Sequence, residues 1–271
     1  MTPQRLSGVA AVAERFDAVL LDQFGVLHDG RAAFPEAKEA VAGLRSAGLR
    51  LAVLSNSGKR QEANAERLAA LGFDPDDFAA VVTSGELCRQ RLVAALASGQ
   101  LTEGAGVYVI ETSQGGSPLE GLPLARTFCA KEAALVVIAG RDTRQEPDRE
   151  IEPLLPLARQ GIPCICANPD LTVYAAGKAA PGPGRLAEAY VSAGGSVEMI
   201  GKPHAPIFEA SLDALGHPQP ARTLMVGDSR MHDIAGAAAL GLATLLIESG
   251  VQADRDSGGP LPDFVASTLT W

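Results

Sequence analysis

Short apolar runs alternate with stretches of helical periodicity along almost the whole chain, and this alternation constrains the fold more than any other feature. The first apolar run covers residues 18–21, a stretch of helical spacing covers residues 35–47, and a second run covers residues 49–54. Parallel strands need a crossover between them, and that crossover is usually a helix. The pattern therefore predicts an α/β fold with a mostly parallel sheet, arranged as a three-layer, Rossmann-like core.

The same alternation continues as far as residue 247. Further strands are predicted at residues 79–83, 107–111, 134–139, 163–167, 197–200, 223–226 and 243–247. Further helices are predicted at residues 61–71, 85–97, 149–160, 185–193, 205–215 and 233–240. The stretches 114–118 and 179–184 are rich in Gly and Pro, which predicts junctions between domains there.

The length and charge of the chain exclude several classes of protein. The chain has 271 residues, more than a typical single domain, and a net charge of −9 without any run of basic residues. Nucleic-acid binding requires clustered Lys and Arg, so we predict no nucleic-acid partner. The 4 cysteines are too few and too scattered for the disulfide framework of a secreted protein of this size.

No segment of the sequence has the pattern of a membrane span or a signal peptide. The longest weakly polar run, residues 233–247, is interrupted by glycines and is too short to cross a bilayer. The N-terminal residues carry charges at Arg5, Glu14 and Arg15, which does not fit a signal peptide. We therefore predict a cytoplasmic protein without a membrane partner.

Polar residues follow four of the predicted strands at the point where each strand ends. Asp22 follows the first strand and Ser55, with Asn56, follows the second, whereas Lys202 and Asp228 come just after two strands in the C-terminal part. Ligands of open α/β sheets bind beyond the carboxyl ends of the strands. These five residues are therefore candidates for one binding site.

The residue types at these positions suit the chemistry of phosphate esters. Asp22 and Asp228 would repel one another unless a cation lies between them, and Mg²⁺ prefers oxygen ligands of this kind. The hydroxyl of Ser55 and the backbone N–H groups of Ser55 and Asn56 are suited to hold two phosphoryl oxygens, and Lys202 to neutralise the third. One carboxylate in such a site is able to attack phosphorus and form an acyl phosphate.

The order Asp22, Ser55, Lys202, then Gly227-Asp228 with Asp233 resembles the four ordered motifs of the haloacid dehalogenase superfamily of aspartate-nucleophile hydrolases. The segments Cys166-Ala-Asn-Pro-Asp170 and Ile200-Gly-Lys-Pro-His204 resemble its p-nitrophenylphosphatase-like branch, class IIA. In that branch a larger cap domain is inserted between the second and third motifs. The resemblance implies the superfamily's α/β core together with an inserted α/β cap.

The spacing of the motifs agrees with such an insertion. Asp22 and Ser55 are 33 positions apart, whereas Ser55 and Lys202 are 147 positions apart. The second interval has room for a cap domain and the first has none. We predict a core at residues 1–85 and 178–271 and an α/β cap at residues 86–177.

The resemblance implies a metal centre built on the first and fourth motifs. Asp22 would be the nucleophile and a Mg²⁺ ligand, Asp228 a second ligand, and the backbone carbonyl of Phe24 a third. Asp233 would hold these ligands in position without binding the metal itself. An N-cap role for Asp233, at the helix that follows it, is an open alternative and is compatible with the first role.

The resemblance also implies how a substrate is held. Ser55 would bind the phosphoryl group, and Lys202 would steady both the nucleophile and the phosphate. Asn168 and Asp170 follow a strand of the predicted cap and are candidates for substrate contact, although Asn-Pro-Asp is equally common in turns. The expected substrate is a small phosphate ester, the expected cofactor is Mg²⁺, and the family pattern suggests a homodimer.

Phe24 is the position at which the chain departs from the family pattern. Phosphatases of the superfamily usually carry a second aspartate there, which protonates the leaving group and later activates water. A phenyl ring does neither, and loss of positioned acid-base catalysis costs on the order of 10²- to 10⁴-fold in rate. The nearest substitutes in the sequence are His28 and Asp29. Gly25 and Gly30 would let the chain turn sharply here.

Two other functions stay open because of Phe24. Haloacid dehalogenases themselves carry an aromatic residue at this position, since displacement of halide needs no proton. Their cap, however, lies between the first two motifs, where this chain has no room. The other alternative is a catalytically weak protein that binds a phosphorylated ligand. The main prediction is a Mg²⁺-dependent phosphatase of small phosphate esters that is slow on poor leaving groups.

Overall fold

The computed structural model describes residues 2–112, 115–175, 178–250 and 258–271, and the chain splits into two compact units. The first unit comprises Met1–Ser55, Ala65–Val82 and Lys202–Trp271. The second unit comprises Asn56–Asn64 and Thr83–Gly201. The predicted junction at residues 114–118 falls partly outside the described residues.

Strands and helices alternate through both units. The strands are β1 (Gln4–Arg5), β2 (Ala18–Asp22), β3 (Arg50–Ser55), β4 (Ala80–Thr83), β5 (Gly106–Ile110), β6 (Ala125–Thr127), β7 (Ala133–Ile138), β8 (Cys164–Cys166), β9 (Thr172–Ala175), β10 (Lys178–Pro181), β11 (Val197–Met199), β12 (Thr223–Gly227), β13 (Ala243–Ile247) and β14 (Phe264–Ala266). The helices are α1 (Pro35–Ser46), α2 (Gln61–Ala70), α3 (Ser84–Ala97), α4 (Asp148–Ile151), α5 (Leu154–Arg159), α6 (Gly184–Ser192), α7 (Ala205–Ala214) and α8 (Ala235–Ala239).

A seven-stranded sheet forms the centre of the first unit. Its strands lie in the order β1-β14-β13-β12-β2-β3-β4, and the pairings from β1 through to β3 are parallel. Every residue of β2 is buried. A strand covered on both faces is apolar throughout, which explains why β2 shows a continuous apolar run in the sequence. Asp22 pairs in register with Leu54, so β2 and β3 end at the same edge of the sheet.

Helix α1 illustrates how local sequence sets the bounds of an element in this unit. Pro35 opens the helix, where a missing N–H costs nothing because the first turn has no partner for it. Gly48, just beyond the end, adopts a φ of 85°, which a residue with a Cβ rarely does. The buried stripe consists of Ala37, Ala40, Val41 and Leu44. The predicted helix at residues 35–47 therefore has the expected start, stop and inner face.

A five-stranded sheet forms the centre of the second unit. Its strands lie in the order β11-β8-β7-β5-β6, and all of these pairings are parallel. β9 and β10 form a separate antiparallel pair. A buried apolar cluster joins β7 to α5 and α6 and includes Val136, Leu157 and Tyr190. The buried Tyr190 hydroxyl donates a hydrogen bond of 2.7 Å to the carbonyl of Ile162, so its polar end is satisfied.

The predicted end of the inserted domain at residue 177 is wrong, because the second unit runs to Gly201. β11 pairs with β8, and Leu186 of α6 belongs to the same buried cluster as β7. The stretch 179–184 is therefore not a junction, and its first residues belong to β10. The second unit also takes in Asn56–Asn64, which the prediction assigned to the core. Local pattern identifies a strand, whereas the sheet that it joins depends on contacts distant in sequence.

Most predicted elements are present, with bounds shifted by at most two residues. The strands that the sequence pattern missed are β1, β6, β9, β10 and β14, none longer than 4 residues and too short to show a period. The helix predicted at residues 149–160 is divided into α4 and α5, because Pro153 interrupts it. Among the described residues, every helix is too short or too polar to cross a bilayer.

Candidate active site

Three predicted site residues lie where neighbouring strands of the first sheet end. Asp22 is the last residue of β2 and is 7% exposed. β12 flanks β2 on one side and is followed directly by Asp228, while β3 flanks it on the other and ends at Ser55. Because the three strands are parallel, their carboxyl ends lie at one edge of the sheet. This edge holds Asp22, Ser55 and Asp228 together.

Three carboxylates converge at this edge. Asp22, Asp228 and Asp233 are all buried, and each offers an oxygen within 4.8 Å of the other two. The ammonium of Lys202 donates hydrogen bonds of 2.6 Å to one oxygen of Asp22 and of 2.6 Å to one oxygen of Asp233. Lys202 is itself only 3% exposed. The cluster thus combines three carboxylates with one ammonium in a buried place.

Lys202 lies in the cluster, but the strand before it does not belong to the sheet that was predicted. The prediction placed Lys202 at the end of a core strand at residues 197–200. That strand, β11, pairs within the second sheet, whereas Lys202 belongs to the first unit and precedes α7. Lys202 lies beside Asp22 and Asp233, but its predicted place at a strand end of the core sheet was wrong.

A tight turn after β12 sets the position of Asp233. A π-helical turn at Arg230–Ile234 directs the Asp233 carboxylate back, where one oxygen accepts hydrogen bonds of 3.1 Å from the N–H of Asp228 and of 3.0 Å from the N–H of Ser229. A Cβ on Gly227 would lie 2.2 Å from the Cβ of Asp233, so only glycine fits there. Asp233 bonds residues before its own turn and not the helix after it, which argues against the N-cap alternative.

Ser229 and Gly250 also shape this turn and were not among the residues predicted from the sequence. Ser229 caps the turn, since its hydroxyl accepts a hydrogen bond of 3.2 Å from the N–H of His232. A Cβ on Gly250 would lie 2.1 Å from the Cβ of Asp228, so a larger residue would displace that side chain. A serine three residues before His232 is a recognisable cap signal. Gly250 gives no local signal, because it approaches Asp228 only in the folded chain.

Burial and charge act in opposite directions on this cluster. Burial is the largest influence on Asp22 and raises its pKa to about 7, against the attraction of the Lys202 ammonium. Burial alone would lower the pKa of Lys202, but the charges of Asp22 and Asp233 outweigh it and raise that pKa. Lys202 therefore stays protonated, while ionisation of Asp22 is costly unless more positive charge is nearby.

The donor set fits a hard divalent cation. Three carboxylates around one ammonium leave an excess of negative charge in a buried place, and burial of like charges is unfavourable without a counter-charge. Mg²⁺ takes oxygen ligands and is often held by one or two carboxylates. Asp233 already accepts three hydrogen bonds, so Asp22 and Asp228 are the better placed carboxylates to face a cation.

The segment after Asp22 turns back on itself around the ring of Phe24. Gly25 and Gly30 both adopt a φ of 91°, which confirms the predicted sharp turns. The rings of Phe24 and His28 meet edge to face with centroids 6.0 Å apart. A Cβ on Gly30 would lie 2.9 Å from the Phe24 ring, and Arg67 donates a hydrogen bond of 2.6 Å to the Gly30 carbonyl. The phenyl ring is thus packed into this turn.

Neither predicted substitute for an acid at position 24 is suited to the task. His28 is 2% exposed, and burial, with a contribution from Arg67, lowers its pKa to about 4. Its Nδ1 accepts a hydrogen bond of 2.9 Å from the N–H of Gly30, so the neutral ring carries its proton on Nε2. Asp29 accepts hydrogen bonds from the N–H groups of Ala32 and Arg31, which lower its pKa. Both groups are therefore poor proton donors near neutral pH.

The remaining predicted residues cluster within the second unit. The side-chain amide of Asn56 donates a hydrogen bond of 2.7 Å to Asp170. The N–H of Asp170 in turn donates a hydrogen bond of 3.0 Å to the side-chain oxygen of Asn168. This is the Asx turn that the Asn-Pro-Asp sequence suggested as the alternative to a substrate contact. The turn brings the three residues together and aligns Asp170 with Asn56.

Comparison with family models identifies a known superfamily. Residues 19–120 match a model described as haloacid dehalogenase-like hydrolase, and residues 199–271 match a second one, described as HAD-hydrolase-like. Human glycerol-3-phosphate phosphatase is 31% identical over 256 residues, which cover 87% of this chain and 79% of that protein.

Solved structures show the same architecture. A haloacid dehalogenase-like hydrolase from Brucella suis 1330 is similar with a TM-score of 0.84 and 31% identity, covering 98% of this chain and 99% of that one. Glycerol phosphate phosphatase from Mycobacterium tuberculosis, solved in complex with magnesium, has a TM-score of 0.72 and 25% identity, covering 95% and 76%. The predicted α/β fold with an inserted α/β domain is confirmed. The chain therefore belongs to the haloacid dehalogenase superfamily, class IIA, and is one of its hydrolases.

Proposed function

We propose that this hydrolase is a Mg²⁺-dependent phosphatase of small phosphate esters that forms a covalent phosphoryl intermediate on Asp22. The observation that carries the proposal is the buried cluster of Asp22, Asp228 and Asp233, in which Asp22 and Asp233 accept hydrogen bonds from the ammonium of Lys202. The names of the relatives, which include glycerol phosphate phosphatases, support the same class of substrate.

Asp22, Asp228 and the backbone carbonyl of Phe24 would hold Mg²⁺, with Asp233 fixing the turn that presents Asp228. The cation supplies charge neutralisation, which favours ionised Asp22 and offsets the charge of the phosphoryl group. A readout of this assignment besides catalysis is the stabilisation of the fold by added Mg²⁺.

The reaction proceeds through two displacements at phosphorus. A carboxylate oxygen of Asp22 forms a bond to phosphorus while the ester P–O bond breaks, and the bonding pair leaves with the alcohol oxygen. Water then attacks the phosphoryl group on Asp22, which releases inorganic phosphate and restores the carboxylate. Lys202 keeps the Asp22 carboxylate oriented through its hydrogen bond of 2.6 Å. Ser55 and the backbone N–H of Asn56 bind phosphoryl oxygens.

Phe24 sets the range of substrates in this proposal. With a phenyl ring at this position and His28 held neutral, the leaving alcohol departs without a proton from either residue. An alkyl oxide is a poor leaving group, whereas an aryl oxide departs readily. The enzyme should therefore favour esters of acidic alcohols.

The second unit is proposed to act as the cap, with Asn168 and Asp170 contacting substrate. A cap supplies residues that select the substrate and excludes water during the reaction. A cytoplasmic location and a homodimer stay predictions of the sequence analysis.

The proposal is tested by release of phosphate from p-nitrophenyl phosphate and from glycerol 3-phosphate, with Mg²⁺ and with EDTA. We expect turnover of the aryl ester that EDTA abolishes and that Asp22→Asn lowers by about 10³-fold or more. The matched control is Asp29→Asn, which makes the same change at an exposed residue of the same segment. Unchanged activity in Asp22→Asn would refute the mechanism.

Parallel assays separate the two alternative functions. Release of halide from 2-haloacids without phosphatase activity would favour a dehalogenase, which the aromatic residue at position 24 allows. Mg²⁺-dependent binding of inorganic phosphate without turnover of any ester would favour a binding protein.

A further inference from the structure

Among the described residues of the turn after Asp22, no acid is placed to protonate a leaving group. The phenyl ring of Phe24 lies at the position where such an acid would be needed, and the turn packs around it. Geometry excludes His28, because its Nδ1 accepts a hydrogen bond from the N–H of Gly30 and its Nε2 is buried. The carboxylate of Asp29 is directed back onto its own loop, where it accepts hydrogen bonds of 2.7 and 2.8 Å from two backbone N–H groups. A group that leaves beside this turn therefore departs as an anion.

A guanidinium lies beside the same turn. Arg67 donates a hydrogen bond of 2.6 Å from Nη2 to the carbonyl of Gly30. A Cβ on Gly30 would lie 2.9 Å from the ring of Phe24 and 3.6 Å from that Nη2 atom, so the ring and the guanidinium flank one point of the backbone. In the part of the chain that the structure describes, no carboxylate forms an ion pair with Arg67. Its positive charge is thus available near position 24.

The charges around position 24 favour an anionic leaving group. A fixed positive charge a few ångströms away stabilises the negative charge that develops as a bond breaks. An ionised aspartate at position 24 would act in the opposite direction, because it would repel the departing anion. Phe24 removes that repulsion, and the loss of an acid costs little when the leaving group needs no proton. The exchange of an acid for a phenyl ring therefore fits a leaving group that is stable as an anion.

Anhydrides of phosphoric acid have leaving groups of this kind. A carboxylic acid has a pKa of about 4, so the carboxylate released from an acyl phosphate is stable at neutral pH, whereas a phenol has a pKa of about 10. A diphosphate also releases a stable anion, but it brings further negative charge to a site that has three carboxylates beside one ammonium. The acyl part of an acyl phosphate carries no charge until the P–O bond breaks. An acyl phosphate is therefore the anhydride that fits this site best.

We propose that the substrate of this hydrolase is an acyl phosphate, the mixed anhydride of a carboxylic acid and phosphoric acid. This inference rests on the proposed function and names its substrate class. A carboxylate oxygen of Asp22 forms a bond to phosphorus while the anhydride P–O bond breaks, and the electron pair leaves on the departing carboxylate, which takes no proton. Arg67 supplies positive charge on the side of Phe24, where the leaving group departs. The phosphoryl group on Asp22 is itself an acyl phosphate, so its attack by water, which yields phosphate and one proton, also releases a carboxylate and needs no acid.

The test compares pairs of substrates that are matched in size and differ in the leaving group. Benzoyl phosphate is compared with benzyl phosphate, and acetyl phosphate with ethyl phosphate, so that a carboxylate replaces an alkoxide. With the full chain and Mg²⁺, we expect kcat/KM for each acyl phosphate to exceed that of its alkyl partner by about 10³-fold, with Asp22→Asn as the blank for uncatalysed hydrolysis. Inorganic pyrophosphate should react about tenfold more slowly than acetyl phosphate, because of its additional charge. Reaction in isotopically labelled water should place the label in the phosphate.

Variants of Arg67 separate its charge from its contact with the turn. Arg67→Gln keeps a donor for the carbonyl of Gly30 but removes the charge, and it should lower kcat/KM for benzoyl phosphate about tenfold. Arg67→Lys keeps the charge and should recover most of that loss. The matched control is Arg45→Gln at an exposed arginine of α1, which should stay within about twofold of the wild type. Phe24→Asp should narrow the ratio of benzoyl to benzyl phosphate by about tenfold or more, because its acid serves only the alkyl ester.

Several outcomes would overturn the proposal. They are hydrolysis of no acyl phosphate above the blank, equal rates for benzoyl and benzyl phosphate, a preference for pyrophosphate over acetyl phosphate, and label in the carboxylate, which would mean attack at carbon. Equal losses in Arg67→Gln and Arg67→Lys would overturn the role of the charge. All of these leave the proposed function in place while p-nitrophenyl phosphate is hydrolysed and Asp22→Asn abolishes that reaction. Failure of the proposed function is recognised separately, by unchanged hydrolysis of p-nitrophenyl phosphate in Asp22→Asn.

Discussion

The carboxyl edges of the two parallel sheets carry charge in different ways. At the edge of the first sheet, the carboxylates of Asp22, Asp228 and Asp233 lie close together, and the ammonium of Lys202 pairs with Asp22 and Asp233. At the edge of the second sheet, Arg141 pairs with Glu150, and Arg126 pairs with Glu111. The first cluster thus has three carboxylates beside one ammonium, whereas Glu150 and Glu111 each have a guanidinium partner.

This difference separates a site for ionic ligands from structural ion pairs. Arg141 is 3% exposed, yet its guanidinium is satisfied by Glu150 and by the carbonyls of Gln145 and Pro181 at 2.6 and 2.8 Å. Such a group holds loops together and needs nothing further. An excess of buried carboxylates, in contrast, is stable only with an additional cation. An excess of buried acidic groups over buried basic groups therefore indicates a metal centre better than the burial of charged groups alone.

Exchanging the buried cation at each edge for methionine gives the largest expected effect. Lys202→Met should lower turnover of p-nitrophenyl phosphate by about 10³-fold, because the nucleophile loses its orienting ammonium. Arg141→Met should leave turnover of the folded enzyme unchanged but lower the free energy of unfolding by about 3–5 kcal/mol, since Glu150 loses its partner. Kinetics and urea unfolding of both variants check this. Loss of turnover in Arg141→Met would remove the distinction between the edges.

The second prediction introduces an acid at position 24, beside the carboxyl edge of the first sheet. Phe24→Asp restores a carboxyl group two residues after Asp22 and should raise turnover of glycerol 3-phosphate by about 10²-fold. Turnover of p-nitrophenyl phosphate should change much less, because that leaving group needs no proton. Phe24→Asn is the matched control without an acid. Equal gains on both esters would mean that protonation of the leaving group is not what the wild type lacks.

Added Mg²⁺ should stabilise the protein through the first edge only. At a concentration of about 100 times its Kd, a ligand specific to the folded state raises the free energy of unfolding by about 2.7 kcal/mol. Asp228→Asn should reduce this gain by at least half. Asp142→Asn, which changes a half-buried carboxylate paired with Arg144 in the second unit, should keep it. Equal gains in both variants would place the cation elsewhere.

The smallest expected effect concerns His28 and pH. Burial lowers the pKa of His28 to about 4 in the folded chain, against about 6.5 in the unfolded chain. Between these values the unfolded chain binds more protons, so stability falls as the pH drops. From about pH 7.5 to about pH 5 this loss is about 2 kcal/mol. His28→Asn keeps an acceptor for the Gly30 N–H and should lose about 2 kcal/mol less; equal losses would contradict the shift.

The sequence was most informative where function depends on strand ends. Asp22, Ser55 and Asp228 follow apolar runs that form adjacent parallel strands, so reading each run locally was enough to place them together. Lys202 was predicted both from the order of the motifs and from its place after a strand, and the second reason was mistaken, because that strand joins the other sheet. His28 was a reasonable candidate acid by sequence distance from Asp22. Its burial and its hydrogen bond from Gly30 depend on how the whole turn packs.

The sequence by itself determined the α/β alternation, the order of the four motifs and the presence of an insertion after Ser55. These features are local, since the hydrophobic periodicity and the polar residues that follow strands can be recognised in consecutive residues. Only the tertiary structure decided that β11 and α6 belong to the inserted unit, that Lys202 bridges Asp22 and Asp233, and that Arg67 lies beside the turn around Phe24. Each of these depends on which distant segments pair and how deeply they are buried, and that is settled by packing of the whole chain.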